Sequence, residues 1–249
     1  SIIPSVRLLV TATALSLVGT LGGLLVASLL LPLSSEFRNR IVPWLLSYAV
    51  GTLLGVALLA LVPEALDQLA PASVLGALLA GILMLFVVEK LVLWRHCHTE
   101  DCDVHDASAT LILIGGALHN LADGAVIAAS VLISIPLGIS TALAVAAHQI
   151  PQEVGDFAVL LNAGFSRRRA LLLNALSASS AVGGAIIVYA AAETLPNTLP
   201  YLLAVAAGSF LYVAMADLIP HLHKGEVIGS GAVRQVLLIG AGVGTILAL

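Results

Sequence analysis

Apolar stretches of about 20 residues recur along this chain with only short polar breaks between them, and that spacing decides what the chain can fold into. A helix needs about 20 such residues to cross the hydrocarbon of a bilayer. The runs fall at roughly 8–32, 43–63, 72–94, 109–132, 136–162, 170–192, 199–221 and 231–249. Only 10% of the 249 residues are charged and 60% are hydrophobic, against about 25% charged in soluble domains. That is too little polar surface for water, so the bilayer is the expected solvent. Period-2 alternation is absent, which argues against a transmembrane barrel. The reading is an all-α integral membrane protein, one transmembrane domain over residues 1–249. No long polar segment and no G-x-x-x-x-G-K-[ST] occur, so nucleotide-driven work on this chain and nucleic-acid binding are not expected. The first run lacks a small-residue cleavage site and is read as a helix, not a signal peptide.

The basic residues set an orientation. Arg38, Arg40, Arg95, Arg167, Arg168, Arg169 and Lys224 fall in alternate breaks, those after runs one, three, five and seven, and Lys90 and Arg234 lie in the run ends that adjoin them. The breaks after runs two, four and six hold none, and Arg7 precedes the first run. By the positive-inside rule those alternate breaks are cytoplasmic, and eight helices with both termini outside follow.

Runs four and five carry polar groups where they cost most. His119, Asn120 and Asp123 interrupt run four; His148, Gln149, Gln152, Glu153 and Asp156 interrupt run five. A charged side chain at the centre of a membrane helix costs at least about 2.5–3.5 kcal/mol. No Lys or Arg lies in these runs, so the compensating positive charge must be protons or a bound cation. His119 and Asp123 are i and i+4 and share a helix face, and His148 and Gln152 repeat that spacing. The short ISIP turn makes the two helices antiparallel neighbours, so the two polar patterns meet at similar depth. Imidazoles, a carboxylate and amide oxygens fit a borderline divalent ion such as Zn²⁺. Pro151 removes a ladder donor beside His148, one turn after Ala147, and is expected to loosen that helix. Gly19, Gly22, Gly23, Gly183 and Gly184 are read as close-packing positions.

HNLADG (119–124) and HQIPQEVGD (148–156) resemble the ZIP family of divalent metal transporters, in the branch that reads HNFxDG and HExPHExGD. ALVPEAL, GILMLFVVEK and AGSFLYVAMADLIP support the resemblance, which covers nearly the whole chain. It implies eight helices in a 3+2+3 arrangement. Helices 1–3 (about 8–94) and 6–8 (about 170–249) would form an inverted repeat around the central pair (about 109–162). It implies primary metal ligands at His119, Asp123, His148 and Gln152, and a neighbouring secondary position at Asn120, Gln149 and Glu153. Asp156 matches the acid of the family's G-D pair. The chain departs from HExPHE at two places: Gln149 replaces a carboxylate and Gln152 replaces a histidine.

Two further groups carry open readings. His96, Cys97, His98, Cys102 and His105 lie in the cytoplasmic break 95–108 and read either as a metal-capturing segment or as a solvated loop. Both cysteines are expected as thiols. Asp217 and His221, with His223, read either as an exit relay or as an interfacial polar cap.

The expected function is uptake of a divalent ion into the cytoplasm by alternating access between helices four and five. Zn²⁺ is the first cargo, with cadmium, iron or manganese beside it. No cofactor is expected beyond the cargo, and the expected partners are metal ions and lipid; a homodimer is compatible with such a bundle. The expected location is a plasma membrane, the bacterial inner membrane. The rival readings are an intramembrane metal hydrolase with Glu153 as base and a non-transporting metal receptor. The hydrolase lacks HExxH, since no second histidine follows His148 at that spacing.

Overall fold

The computed structural model describes residues 6–30, 32–96, 104–194, 196–223 and 230–249, and among these no strand occurs. The helices are α1 (Val6–Leu30), α2 (Ser35–Val56), α3 (Val62–Gln68), α4 (Pro71–His96), α5 (Val104–Ile133), α6 (Ile135–Asn162), α7 (Arg167–Thr194), α8 (Leu199–Tyr212), α9 (Ile219–His223) and α10 (Ser230–Leu247). Among the described residues, six spans are long and apolar enough to cross a membrane: Val6–Leu30, Arg40–Gln68, Pro71–Val88, Leu113–Ile133, Arg167–Ala192 and Leu199–His223. Gly231–Leu247 is apolar but shorter. The expected fifth span, within α6, stands outside the six, because His148, Gln149, Gln152, Glu153 and Asp156 dilute its apolar surface.

Two spans are built alike. α2 passes into α3 through a π-helical turn, Ala57–Leu61, and α8 passes into α9 through another, Val213–Leu218. Each turn precedes a proline, Pro63 or Pro220. Proline supplies no N–H and crowds the carbonyl one turn back. The backbone answers by widening: Val62 N–H bonds the Ala57 carbonyl and Ile219 N–H the Ala214 carbonyl, each five residues back. Pro151 does not act this way. α6 stays α-helical from Ile135 to Asn162, so the expected loosening beside His148 does not extend to a break; one ladder bond is lost and the packed neighbours hold the rest.

The helix contacts come in matched pairs. α1 packs along α6 as α7 packs along α5, and α10 packs along α2 as α4 packs along α8. Lipid competes equally for apolar side chains, so close van der Waals approach must hold such pairs. Glycine permits it. A Cβ at Gly184 would overlap the Leu121 carbonyl, one at Gly51 the Ile239 carbonyl, and one at Gly81 the Val205 carbonyl. Gly19 and Gly23 likewise abut α6, whereas a Cβ at Gly22 or Gly183 would meet no neighbouring element within 4 Å. Adjacent helix positions are turned about 100° apart, so only one of each neighbouring pair can face the partner. Hydroxyls add to the packing: Ser180 donates to the Ala117 carbonyl at 2.6 Å and Thr20 to the Ala178 carbonyl at 3.2 Å. The buried core runs through Leu53, Leu61, Ile127, Val145, Leu203 and Phe210. Leu75, Leu79, Leu83 and Val87 of α4 face outward, where acyl chains would meet them.

Candidate metal centre

α5 and α6 form a hairpin joined by Ser134 alone. Ser134 is extended (φ −155°), and its hydroxyl accepts from Leu137 N–H at 3.3 Å, starting α6 with Pro136 in its first turn. His119 and His148 stand almost equally far along the chain from this turn. At 1.5 Å per residue both sit about 21–22 Å down the hairpin, at matching depth along it.

Three donors converge there. His119 Nε2 and His148 Nε2 are 3.1 Å apart. Each is 3.4 Å from Asp123 Oδ2. A tetrahedral ion with ligands at about 2.1 Å spaces them about 3.4 Å apart, so the triangle has the dimensions of one face of a zinc site. Among the described residues this is the only set of three or more histidine, cysteine or acidic groups close enough to hold an ion. No Lys or Arg lies within ion-pair distance of Asp123 among them.

The surroundings hold the donors in place. His148 Nδ1 donates to the Ala144 carbonyl at 3.0 Å, which puts the ring proton on Nδ1 and leaves Nε2 as a lone-pair donor. Phe210 of α8 packs against the His148 ring, centroids 5.9 Å apart. The two imidazoles meet nearly edge to face at 87°. If the His148 ring is neutral with its proton on Nδ1, the 3.1 Å contact has His119 Nε2–H as donor and His148 Nε2 as acceptor. A dication would displace that proton.

Asn120 and Gln149 lie beside the triangle and are bonded to each other. Gln149 Nε2 donates to Asn120 Oδ1 at 2.6 Å and to Asp123 Oδ2 at 2.8 Å. Asn120 Nδ2 donates to the Gly116 carbonyl at 2.8 Å. Glu153 is buried, and its Oε2 has no hydrogen-bond partner among the described residues. Gln152 lines a cavity of about 540 Å³ together with His119 and His148. The same cavity is lined by Asp156, Asp217 and His221, and by Val42 near the start of α2 and Val88 near the end of α4. It therefore runs from the histidines toward the end of the bundle where Arg40, Lys90 and Arg234 lie. Toward Ser134 the hairpin is packed solid by Val126, Ile127, Val131, Ala144 and Val145.

His96, Cys97, His98, Cys102 and His105 lie outside the residues whose side chains are described. Two residues absent from the sequence-based set touch the centre. Phe210 gave no signal, since an aromatic in an apolar run reads as core. Gly23 was legible only as a packing position; a Cβ there would fall 2.6 Å from Gln149 Cβ.

The sequence model of the family described as ZIP Zinc transporter matches residues 93–249. The chain is 32% identical to zinc transporter ZIP13 of Pongo abelii over 235 residues, 86% of this chain and 69% of that protein. It is 45% identical to zinc transporter ZIP4 of Homo sapiens over 114 residues, 46% of this chain and 18% of that protein. With zinc transporter ZIP10 of Danio rerio it shares 42% identity over 131 residues, 51% of this chain but 16% of that protein. The chain thus spans a small part of two of these relatives and about two thirds of the third. The matched region contains the hairpin and all three converging donors, and the chain belongs to the ZIP zinc transporter family.

Proposed function

We propose that this chain carries Zn²⁺ across a plasma membrane into the cytoplasm, with the ion held by His119, Asp123 and His148 and with Gln152 as a further donor from the cavity wall. The observation that carries the reading is the triangle itself. Two imidazole nitrogens and one carboxylate oxygen sit at zinc-site separations, with a cavity leading away from the histidines toward the basic end. The family's transport activity and the zinc named for its relatives fit that site.

The fold supports alternating access. The matched contacts of α1 with α6 and α7 with α5, and of α10 with α2 and α4 with α8, are what a 3+2+3 bundle with an inverted repeat requires. The prolines with their π turns fall in the second helix of each outer triplet. With both termini outside, the cavity opens on the cytoplasmic side and the conformation is inward-facing. Guanidinium and ammonium groups lie over aromatic rings at that end: Arg234 over Trp44 at 4.8 Å, Lys90 over Phe86 at 5.5 Å and Arg169 over Phe165 at 4.6 Å. Trp44 with its two guanidinium neighbours is the kind of anchor found at a membrane interface. In the transport cycle the ion loses water to the three donors while access is from outside. The walls then close above it, and the ion leaves through the cavity past Asp156, Asp217 and His221.

Proteoliposomes test this. Wild-type protein should accumulate radiolabelled Zn²⁺, and His119→Ala should lower uptake by well over the 10–100-fold that loss of a mere outer-shell partner costs. Equal uptake by the two proteins would refute the site.

A further inference from the structure

We infer that the side-chain amide of Gln149 fills a cation position beside the transport site, so that this centre holds one metal ion where the family motif provides donors for two. The inference rests on His119, Asp123 and His148 holding the transported ion, as proposed above.

Hydrogen-bond bookkeeping fixes which end of the amide faces the site. The Gly116 carbonyl can only accept, so the Asn120 nitrogen must point at it, and the 2.8 Å bond is that contact. Asn120 Oδ1 is thereby turned toward Gln149. Asp123 Oδ2 is a second acceptor at the same point. Two acceptors at 2.6 and 2.8 Å demand a donor, so the Gln149 NH₂ group sits between them and spends one hydrogen on each. The reversed amide would set its oxygen against two other oxygens. The opposite end of the same amide, Oε1, is buried without a partner among the described residues. The side chain accepts that unmet acceptor to keep its nitrogen where it is.

A neutral NH₂ with two outward hydrogens presents to Asn120 and Asp123 what a small cation would present: positive charge toward both oxygens at once. The separations are N–H···O lengths, longer than the 2.0–2.2 Å of a zinc–oxygen bond. The group also cannot swing aside. Gln149 is fully buried, and α1 crosses directly over it, with Gly23 so close that a Cβ would meet Gln149 Cβ at 2.6 Å. A carboxylate at 149 would reverse the electrostatics. It would place a second negative oxygen against Asp123 and Asn120, an arrangement that only a bound cation or a proton can relieve. The type of residue at 149 therefore sets the number of ions. In this chain Gln149 is a positioning residue: it holds the Asp123 carboxylate so that Oδ2 faces both imidazoles.

The test is metal stoichiometry on the 249-residue chain in detergent, with His96, Cys97, His98, Cys102 and His105 replaced by serine in every sample so that these side chains contribute nothing. Equilibrium dialysis against Zn²⁺ should give about one ion per chain in this parent and about two in Gln149→Glu. X-ray absorption should show a zinc–zinc distance of about 3.5–4 Å in Gln149→Glu alone. A parent that already binds two ions with that zinc–zinc signal overturns the inference, and so does a Gln149→Glu protein that stays at one. Should Gln149→Glu fail to fold, the absorption spectrum of the zinc-saturated parent decides: a lone zinc supports the inference, and a metal–metal signal defeats it. Failure of the transport reading is read separately, as retention of the parent's ion after His119→Ala.

Discussion

Asp123 is the residue on which the centre turns, because its Oδ2 is shared by two imidazoles and one amide. Asp123→Asn keeps the shape but removes the only carboxylate in the triangle. It should abolish Zn²⁺ uptake in proteoliposomes while the protein still elutes as a folded species. Phe210→Ala should act more gently. It removes the wall against which the His148 ring rests, and its expected cost is a rise of about tenfold in the zinc concentration for half-maximal uptake, with the maximal rate less affected. The convergence of His119, Asp123 and His148 was legible in the chain, since i, i+4 spacing and equal distance from a short turn suffice to bring those side chains together. What residue types did not disclose is which atom of an amide faces inward. Gln149 and Asn120 looked like two oxygen donors, whereas one of them turns its nitrogen to the site because the Gly116 carbonyl has already claimed the other's.

Among the elements, the α5–α7 contact shows how little freedom the packing leaves. Gly184 lies against the Leu121 carbonyl so closely that any side chain must push the helices apart, while neighbouring Gly183 meets nothing. Gly184→Ala should destabilise by about 1–3 kcal/mol, the usual cost of overpacking, and thermal unfolding in detergent should show it. Gly183→Ala in the same assay should unfold at the wild-type temperature. Helix positions were legible from the apolar runs. The π turns at Ala57–Leu61 and Val213–Leu218 were not, because a proline announces trouble in the ladder without saying how the backbone resolves it. Pro63 and Pro220 end in widened turns, and Pro151, in a helix tightly held by α1, does not.

For the whole molecule, the expected state is one in which water reaches the histidines from the basic end only. In a chain whose native Cys97 and Cys102 are replaced, Val42→Cys and Val88→Cys should react with a membrane-impermeant thiol reagent applied from the cytoplasmic face. Ala144→Cys, on the packed side toward Ser134, should not react from that face. Labelling of Val42→Cys from the outer face alone would reverse the proposed orientation. The single-residue link at Ser134 has one more result. All three donors ride on one hairpin, so the backbone positions that set their spacing are fixed within a single element pair, with Phe210 steadying one ring from outside. On the transport reading proposed above, a shift of the walls would change the doorway more than the spacing of the donors.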